Sequence, residues 1–256
     1  MSSPNPTSPT TPPASGGSRS GFSRRSFVAG AAWSAPVVAI AAAVPFASAS
    51  GSCTEQAQVD WATTFVAAAD KRSGQGESVT PTGAVVTYTV AVTTGPNIEI
   101  PATSDNLNST SSGVFLGDRQ TVASADKEFD AAYMQRATVT FDRPVTKVSF
   151  RIFDVDGSTF YREHLRVVSV PEAVGIPGGG ENTRVEFDPL SNTFRPIDDE
   201  AIGQVLAGSV GYEITGPTTS FTVELTTPRT AVPPQGVLSH GVRMTNIAYT
   251  TACALA

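Results

Sequence analysis

Hydrophobic side chains recur at every second position in short runs along most of this chain, and that period constrains the fold more than any other feature. Val86, Tyr88, Val90 and Val92 alternate with Thr87, Thr89, Ala91 and Thr93, and Val139 and Phe141 alternate with Thr138 and Thr140. Val148, Phe150 and Ile152 alternate in the same way with Lys147, Ser149 and Arg151. Successive side chains on a strand point to opposite faces, so each run reads as a half-buried β-strand. Comparable runs occupy residues 165–170, 183–187, 192–195, 210–214 and 221–225, separated by Gly, Pro, Asn, Asp and Ser. Strands at this spacing predict an all-β chain, an antiparallel β-sandwich of jelly-roll type.

Several segments carry finer expectations. Residues 137–157 read as two adjacent strands joined by a tight turn at Asp142-Arg143-Pro144. Residues 183–187 pair with 192–195 across Asp188-Pro189-Leu190-Ser191. Residues 241–251 carry apolar side chains on both alternations, which predicts a bulge near Asn246 or burial on both faces. Residues 56–69 read as strand or irregular structure. Asp198 is placed to cap a short helix over 198–206.

The N-terminal segment has a different character. Residues 1–22 are rich in Ser, Thr, Pro and Gly without apolar periodicity, the composition of a disordered leader. Ser23-Arg24-Arg25-Ser26-Phe27-Val28 then resembles the twin-arginine export motif, ahead of an apolar run that ends in Ala47-Ser48-Ala49. The expected cleavage point follows Ala49, which divides the chain into a leader with signal peptide (1–49) and one domain (50–256). An uncleaved membrane anchor is the alternative, since residues 27–49 are long enough to span a bilayer. With cleavage, nothing else in the sequence would retain the protein at a membrane.

Export makes the cysteines informative. Cys53 and Cys253 are the two cysteines of the chain and lie at either end of the expected domain, so an intramolecular clasp is the leading reading. After residue 49 there are 14 Lys and Arg against 23 Asp and Glu, a net charge of −9. Such an acidic domain is a poor partner for nucleic acid or anionic membrane and is compatible with cations and neutral sugars.

Asp154-Val155-Asp156-Gly157-Ser158 is the chief chemical lead. If the alternation of residues 148–152 continues, Asp154 and Asp156 fall on the apolar side, where a bare carboxylate is costly unless it is paired or bound to a cation. Alternate oxygen ligands followed by glycine open many calcium loops, although the EF-hand pattern is not completed. Glu163, Asp142 and Asp188 are further oxygen donors. The competing reading turns Val155 inward and leaves both aspartates on a surface turn. His164 and His240 lack zinc-site spacing, no G-x-S-x-G occurs, and Gly178-Gly179-Gly180 lacks the Lys and the strand-to-helix setting of a phosphate loop. Tyr133, Phe153, Phe160 and Tyr161 are candidate stacking platforms for a sugar ring.

Phe141-x-x-Pro144-Val145 followed by Val148-x-Phe150-x-Ile152-x-Asp154-x-Asp156 resembles a phrase of secreted bacterial β-sandwich modules found in actinobacterial surface proteins and lectin-like adhesin regions. Residues 244–249, Met-Thr-Asn-Ile-Ala-Tyr, are similar to their closing strand. The resemblance implies a non-catalytic extracellular module that binds a carbohydrate or cell-surface ligand. Two other functions fit the residues: a secreted polysaccharide hydrolase working through two carboxylates, and a structural envelope protein.

Overall fold

The structure is a computed structural model that describes residues 53–101, 105–117, 119–121, 129–158, 161–198, 205–228 and 241–253. Arg24, Arg25 and Ala49 lie outside the described residues, as do Phe160, His240 and most of the segment expected to form a helix after Asp198. In chain order the strands are β1 (Thr54–Val59), β2 (Phe65–Ala67), β3 (Ser73–Val79), β4 (Val85–Thr94), β5 (Ile98–Glu99), β6 (Ser109–Thr110), β7 (Gly113–Gly117), β8 (Arg119–Gln120) and β9 (Met134–Phe153). They continue as β10 (Gly157–Ser158), β11 (Tyr161–Arg162), β12 (His164–Ser169), β13 (Val174–Pro177), β14 (Val185–Asp188), β15 (Thr193–Pro196), β16 (Ser209–Ile214), β17 (Thr218–Thr226), β18 (Gly241–Met244) and β19 (Ile247–Ala252).

The result is an antiparallel β-sandwich, and the longest strand belongs to both of its layers. The first half of β9 pairs with β4 and β17, in a layer that runs β2-β3-β4-β9-β17-β12-β15-β14. Its second half pairs with β16 on one side and with β18 and β19 on the other, while β13 extends β16 and β1 extends β19. The two strands expected over residues 137–157 are therefore one. Pro144 has no N–H to give and the two residues before it, Asp142 and Arg143, are charged, so the sequence looks like a turn. The chain instead crosses between layers there, and Asp142, Arg143 and Pro144 fall between ladder partners of β17, whose register jumps from Thr140↔Ser220 to Val145↔Thr218.

A second irregularity resets the faces. Ala137, Val139 and Phe141 are buried in the first half of β9, and Val148, Phe150 and Ile152 in the second, an odd-to-even change of phase. One extra residue on β9 lies between the partners of Thr250 and Ala248, and Lys147 takes a left-handed conformation, φ 50°. A bulge of this kind rotates the strand so that both halves present apolar residues to one core.

Elsewhere the alternation predicts burial well. β4 buries Val86, Tyr88, Val90 and Val92, β16 buries Val210, Tyr212 and Ile214, and β17 buries Phe221, Val223 and Leu225. The final segment breaks at Thr245-Asn246, where the expected irregularity lies, and so forms β18 and β19. Trp61 fills that break: its Nε1 donates to the Thr245 carbonyl at 2.7 Å and its backbone N–H to Asn246 Oδ1 at 3.2 Å. Its ring meets Phe65 and Tyr88 edge to face. Cys53 and Cys253 form the disulfide, Cα atoms 5.5 Å apart, directly beyond the Thr54↔Ala252 pair of β1 and β19.

Candidate functional site

A groove of about 480 Å³ opens where the two layers part, between β12, β13 and the β14–β15 hairpin. It exists because β12 pairs with β15 only at Leu165↔Phe194, whereas on its other side it pairs with β17 over its full length. Beyond Leu165 the hairpin diverges and the chain passes through Val170-Pro171 into β13 of the opposite layer.

Aromatic residues form its body. Phe187 faces Phe194 across the hairpin, ring centroids 5.2 Å apart, and Phe194 meets Tyr212 edge to face at 5.9 Å. Phe194 and Tyr212 are buried, but Phe187 is 48% exposed, and all three line the groove. Burial pushes the Tyr212 phenol upward in pKa, and its buried hydroxyl has no hydrogen-bond partner among the described residues. Gly175 lets β13 approach this stack, because a Cβ there would stand 2.3 Å from Phe194 Cε2 and 3.0 Å from Tyr212 Cε1. The hairpin turn is set by Asp188, which accepts from the Leu190 N–H and from Ser191 Oγ, each at 3.0 Å. Those hydrogen bonds hold its carboxyl below the usual range. Asn192, φ 54°, closes the turn in a conformation that asparagine tolerates better than most residues, and it also lines the groove.

Arg166 and Glu172 supply the charge in the groove lining. The Arg166 side chain leaves β12 on the face opposite Leu165 and Val167 and turns toward β17: its Nε donates to Glu224 Oε2 at 2.6 Å, and its guanidinium lies 4.3 Å over the Phe129 ring. Arg136 donates through its own Nε to Glu224 Oε1 at 2.7 Å. Register explains the set, since Arg136, Glu224 and Arg166 are direct cross-strand neighbours on β9, β17 and β12. One nearly buried carboxylate thus bridges two arginines, each about a third exposed.

The aspartates lie at a different place, where β9 ends. The alternation does not continue through them: Asp154 adopts φ 71°, and Val155 becomes fully buried with its N–H donating to the Gly208 carbonyl. The inward turn of Val155 corrects the expectation that the strand runs on, yet Asp156 is still buried, at 7% exposure. Asp156 Oδ1 accepts from the Tyr161 hydroxyl at 3.1 Å, and its backbone N–H donates to Glu163 Oε2 at 3.1 Å. Asp154 is pushed up to a pKa of about 6, first by burial and then by the nearby Asp156 charge, with Arg243 pulling the other way. Asp142 is engaged by Arg143, and Asp188 by its own turn, so neither joins this pair. Among the described residues no three His, Cys, Asp or Glu side chains converge as a metal-binding group.

The aromatic candidates divide differently from expectation. Tyr161 is buried against Asp156, Tyr133 sits in a 3-10 turn before β9, and Phe153 borders a shallow depression with Asn246. Nothing in the alternation marks Phe187, Phe194 and Tyr212 as residues of a groove. The hairpin register would have found two of them, because a four-residue turn at 189–192 places Phe187 opposite Phe194. His164 is buried in β12 opposite Thr226.

No protein-family model matches the chain and no curated protein matches it. Among solved structures, it is similar to the adhesin domain of PrgB from Enterococcus faecalis, at 10% identity and a TM-score of 0.37, over 71% of this chain and 70% of that one.

Proposed function

We propose that this is a secreted, non-catalytic β-sandwich protein that binds a carbohydrate of a cell surface or matrix in the groove between β12, β13 and the β14–β15 hairpin. The observation that carries the reading is Phe187, an aromatic ring half exposed above a buried aromatic floor in a cleft of ligand size. A flat apolar ring in a lining that also holds Asn192 and Glu172 offers both things a sugar needs, a stacking face and hydrogen-bonding groups. Exposed Val174 adds apolar surface to the lining. Hydrolysis through two carboxylates fits this groove less well, since Glu172 is the single carboxylate among its described lining residues. Export through Arg24-Arg25 and cleavage after Ala49 belong to the same proposal, as does the placing of the Cys53–Cys253 disulfide in an oxidising compartment.

A glycan array probed with the secreted chain tests the reading. Binding to a defined set of glycans, lost in Phe187→Ala without change in the circular dichroism spectrum, is the expected result. An empty array, or undiminished binding by the variant, overturns it.

We further propose that Asp154 and Asp156 hold a structural calcium ion. The supporting observation is that two neighbouring carboxylates, one of them half buried and pushed to about 6, repel each other at neutral pH. A divalent cation with hard oxygen ligands relieves both that repulsion and the cost of burial.

A further inference from the structure

The outward face of β16, β9, β18 and β7 carries a second arrangement, separate from the groove and independent of it. We propose that this face binds an anionic polysaccharide across its strands, with a sugar ring on Phe153 and an oxyanion on either side, one at Arg151 and one at Arg243.

Register sets out the row. Ser209, Phe153, Arg243 and Phe115 are direct cross-strand partners on β16, β9, β18 and β7. Their sequence neighbours, from Ile152 and Val210 to Val242 and Leu116, are buried in the core, so these four positions point outward. Arg151 leaves β9 from the preceding outward position and joins the row at Ser209. Its Nη1 donates to Ser209 Oγ at 3.0 Å, while Ser209 Oγ gives its own proton to the Leu206 carbonyl at 2.6 Å. Two glycines make the seat: a Cβ at Gly211 would stand 3.1 Å from Arg151 Nη2, and one at Gly178, first of the three-glycine run, 2.8 Å from Nη1. On the far side of Phe153, Arg243 Nη1 donates to Thr110 Oγ1 at 3.0 Å and to the Gly113 carbonyl at 3.2 Å. Neighbouring strands lie about 4.8 Å apart, so roughly 10 Å separates the Ser209 and Arg243 positions.

Both arginines are fixed without being neutralised. Arg136, Arg143, Arg166, Arg184 and Arg195 each meet a carboxylate, whereas hydroxyl and carbonyl oxygens hold Arg151 and Arg243. Arg151 Nε and Nη2 share one edge of the guanidinium, have no hydrogen-bond partner among the described residues and are not buried. That edge is a side-on fork for an oxyanion. The neighbouring acids do not close it. Glu213 points outward from β16 two residues beyond Gly211, but the Arg151 guanidinium turns the other way, toward Ser209. Asp154 attracts Arg243 from the end of β9, and the bonds to Thr110 and Gly113 draw that arginine toward β7.

Phe153 makes the ligand a saccharide. The ring is partly exposed and borders a depression of about 380 Å³ with Ser111, Ser112, Thr245 and Asn246, whose hydroxyl and amide groups suit sugar hydroxyls. A polyphosphate or an acidic peptide brings the charge without a flat ring for Phe153.

Calorimetry with the compact unit Gly51–Ala256 compares dextran sulfate with dextran, the same chain without the charged groups. The sulfated chain is expected to bind at least about tenfold more tightly, as charge-assisted pairs imply, and its advantage should shrink as NaCl is raised. Phe153→Ala and Arg151→Gln should each weaken that binding several-fold, with Arg151→Lys, which keeps the charge and loses the fork, between Arg151→Gln and the parent. Phe187→Ala, in the groove, should leave it unchanged. Equal affinities for the two dextrans, or binding lost in Phe187→Ala, overturn the inference. Polyphosphate bound as tightly and indifferent to Phe153→Ala overturns it too, since the face then reads charge alone. Where a variant does not fold, amide shifts of Ser209, Phe153 and Arg243 in the unmodified unit decide: movement on adding dextran sulfate is expected, and silence there overturns the inference.

Discussion

Replacing both halves of the clasp, Cys53→Ser with Cys253→Ser, should weaken the fold without reshaping it. The two residues close a loop of 200 positions, and β1 already pairs with β19 from Thr54↔Ala252 to Val59↔Ile247. The folded ends therefore stay together without the covalent bond, and Cys253 N–H reaches the Cys53 carbonyl at 3.2 Å. The effect falls on the unfolded chain, which regains its loop entropy: about 18 cal/mol/K for this loop length, or about 5 kcal/mol at room temperature. With the urea dependence typical of a domain this large, that is a midpoint shift of roughly 2 M. Trp61, fully buried between Phe65 and Tyr88, is the one tryptophan after residue 50 and reports the transition by fluorescence. A loss below about 1 kcal/mol would refute the entropic account, and so would a far-UV spectrum unlike that of the parent protein.

Asp154 gives the fold a pH dependence of definite sign. Its folded pKa of about 6 lies above the ordinary carboxylate value, so the folded state holds more protons between about pH 4 and 6 and stability falls as pH rises through that window. Melting temperature against pH should show this slope in calcium-free buffer, and Asp154→Asn, well suited to φ 71°, should flatten it. Calcium at neutral pH should raise the melting temperature of the parent protein and not that of the Asp154→Asn, Asp156→Asn double variant; equal responses would remove the proposed site. Glu224→Gln should cost about 2 kcal/mol in urea titrations, because two charged hydrogen bonds are lost and two arginines are left facing each other. In a host that exports the protein, Arg24→Lys with Arg25→Lys should leave precursor inside the cell, and normal secretion of that variant would exclude the twin-arginine route.

Most of the architecture is legible in the period of the hydrophobic residues, and its failures have physical causes. Alternation identifies β4, β16 and β17 and the inward side of each, because one-faced burial writes directly into a two-residue period. It misreads residues 142–144, since Pro144 and two charges look the same whether a strand turns back or crosses between layers. It also fails at Asp154, where a single left-handed residue shifts the phase and sends Val155 inward. Such a conformation leaves no periodic trace when the residue is not glycine. The groove was less legible still. Tyr212 and Phe194 read as core, and they are core; their role in the groove depends on β15 leaving β12 after one pair, which no local pattern records. Arg136, Glu224 and Arg166 are 30 to 88 residues apart in sequence and become neighbours only through the β9-β17-β12 register.

A heteronuclear NMR titration of the unit Gly51–Ala256 with a glycan selected on the array tests the central claim most directly, because it reports where a ligand sits as well as whether it binds. The account predicts that shift changes concentrate on Gly175, Phe187 and Asn192, with Asp154 and Asp156 unaffected. Saturable shifts centred on the β9 end or on the β1–β3 side of the sandwich, with the groove silent, would contradict it.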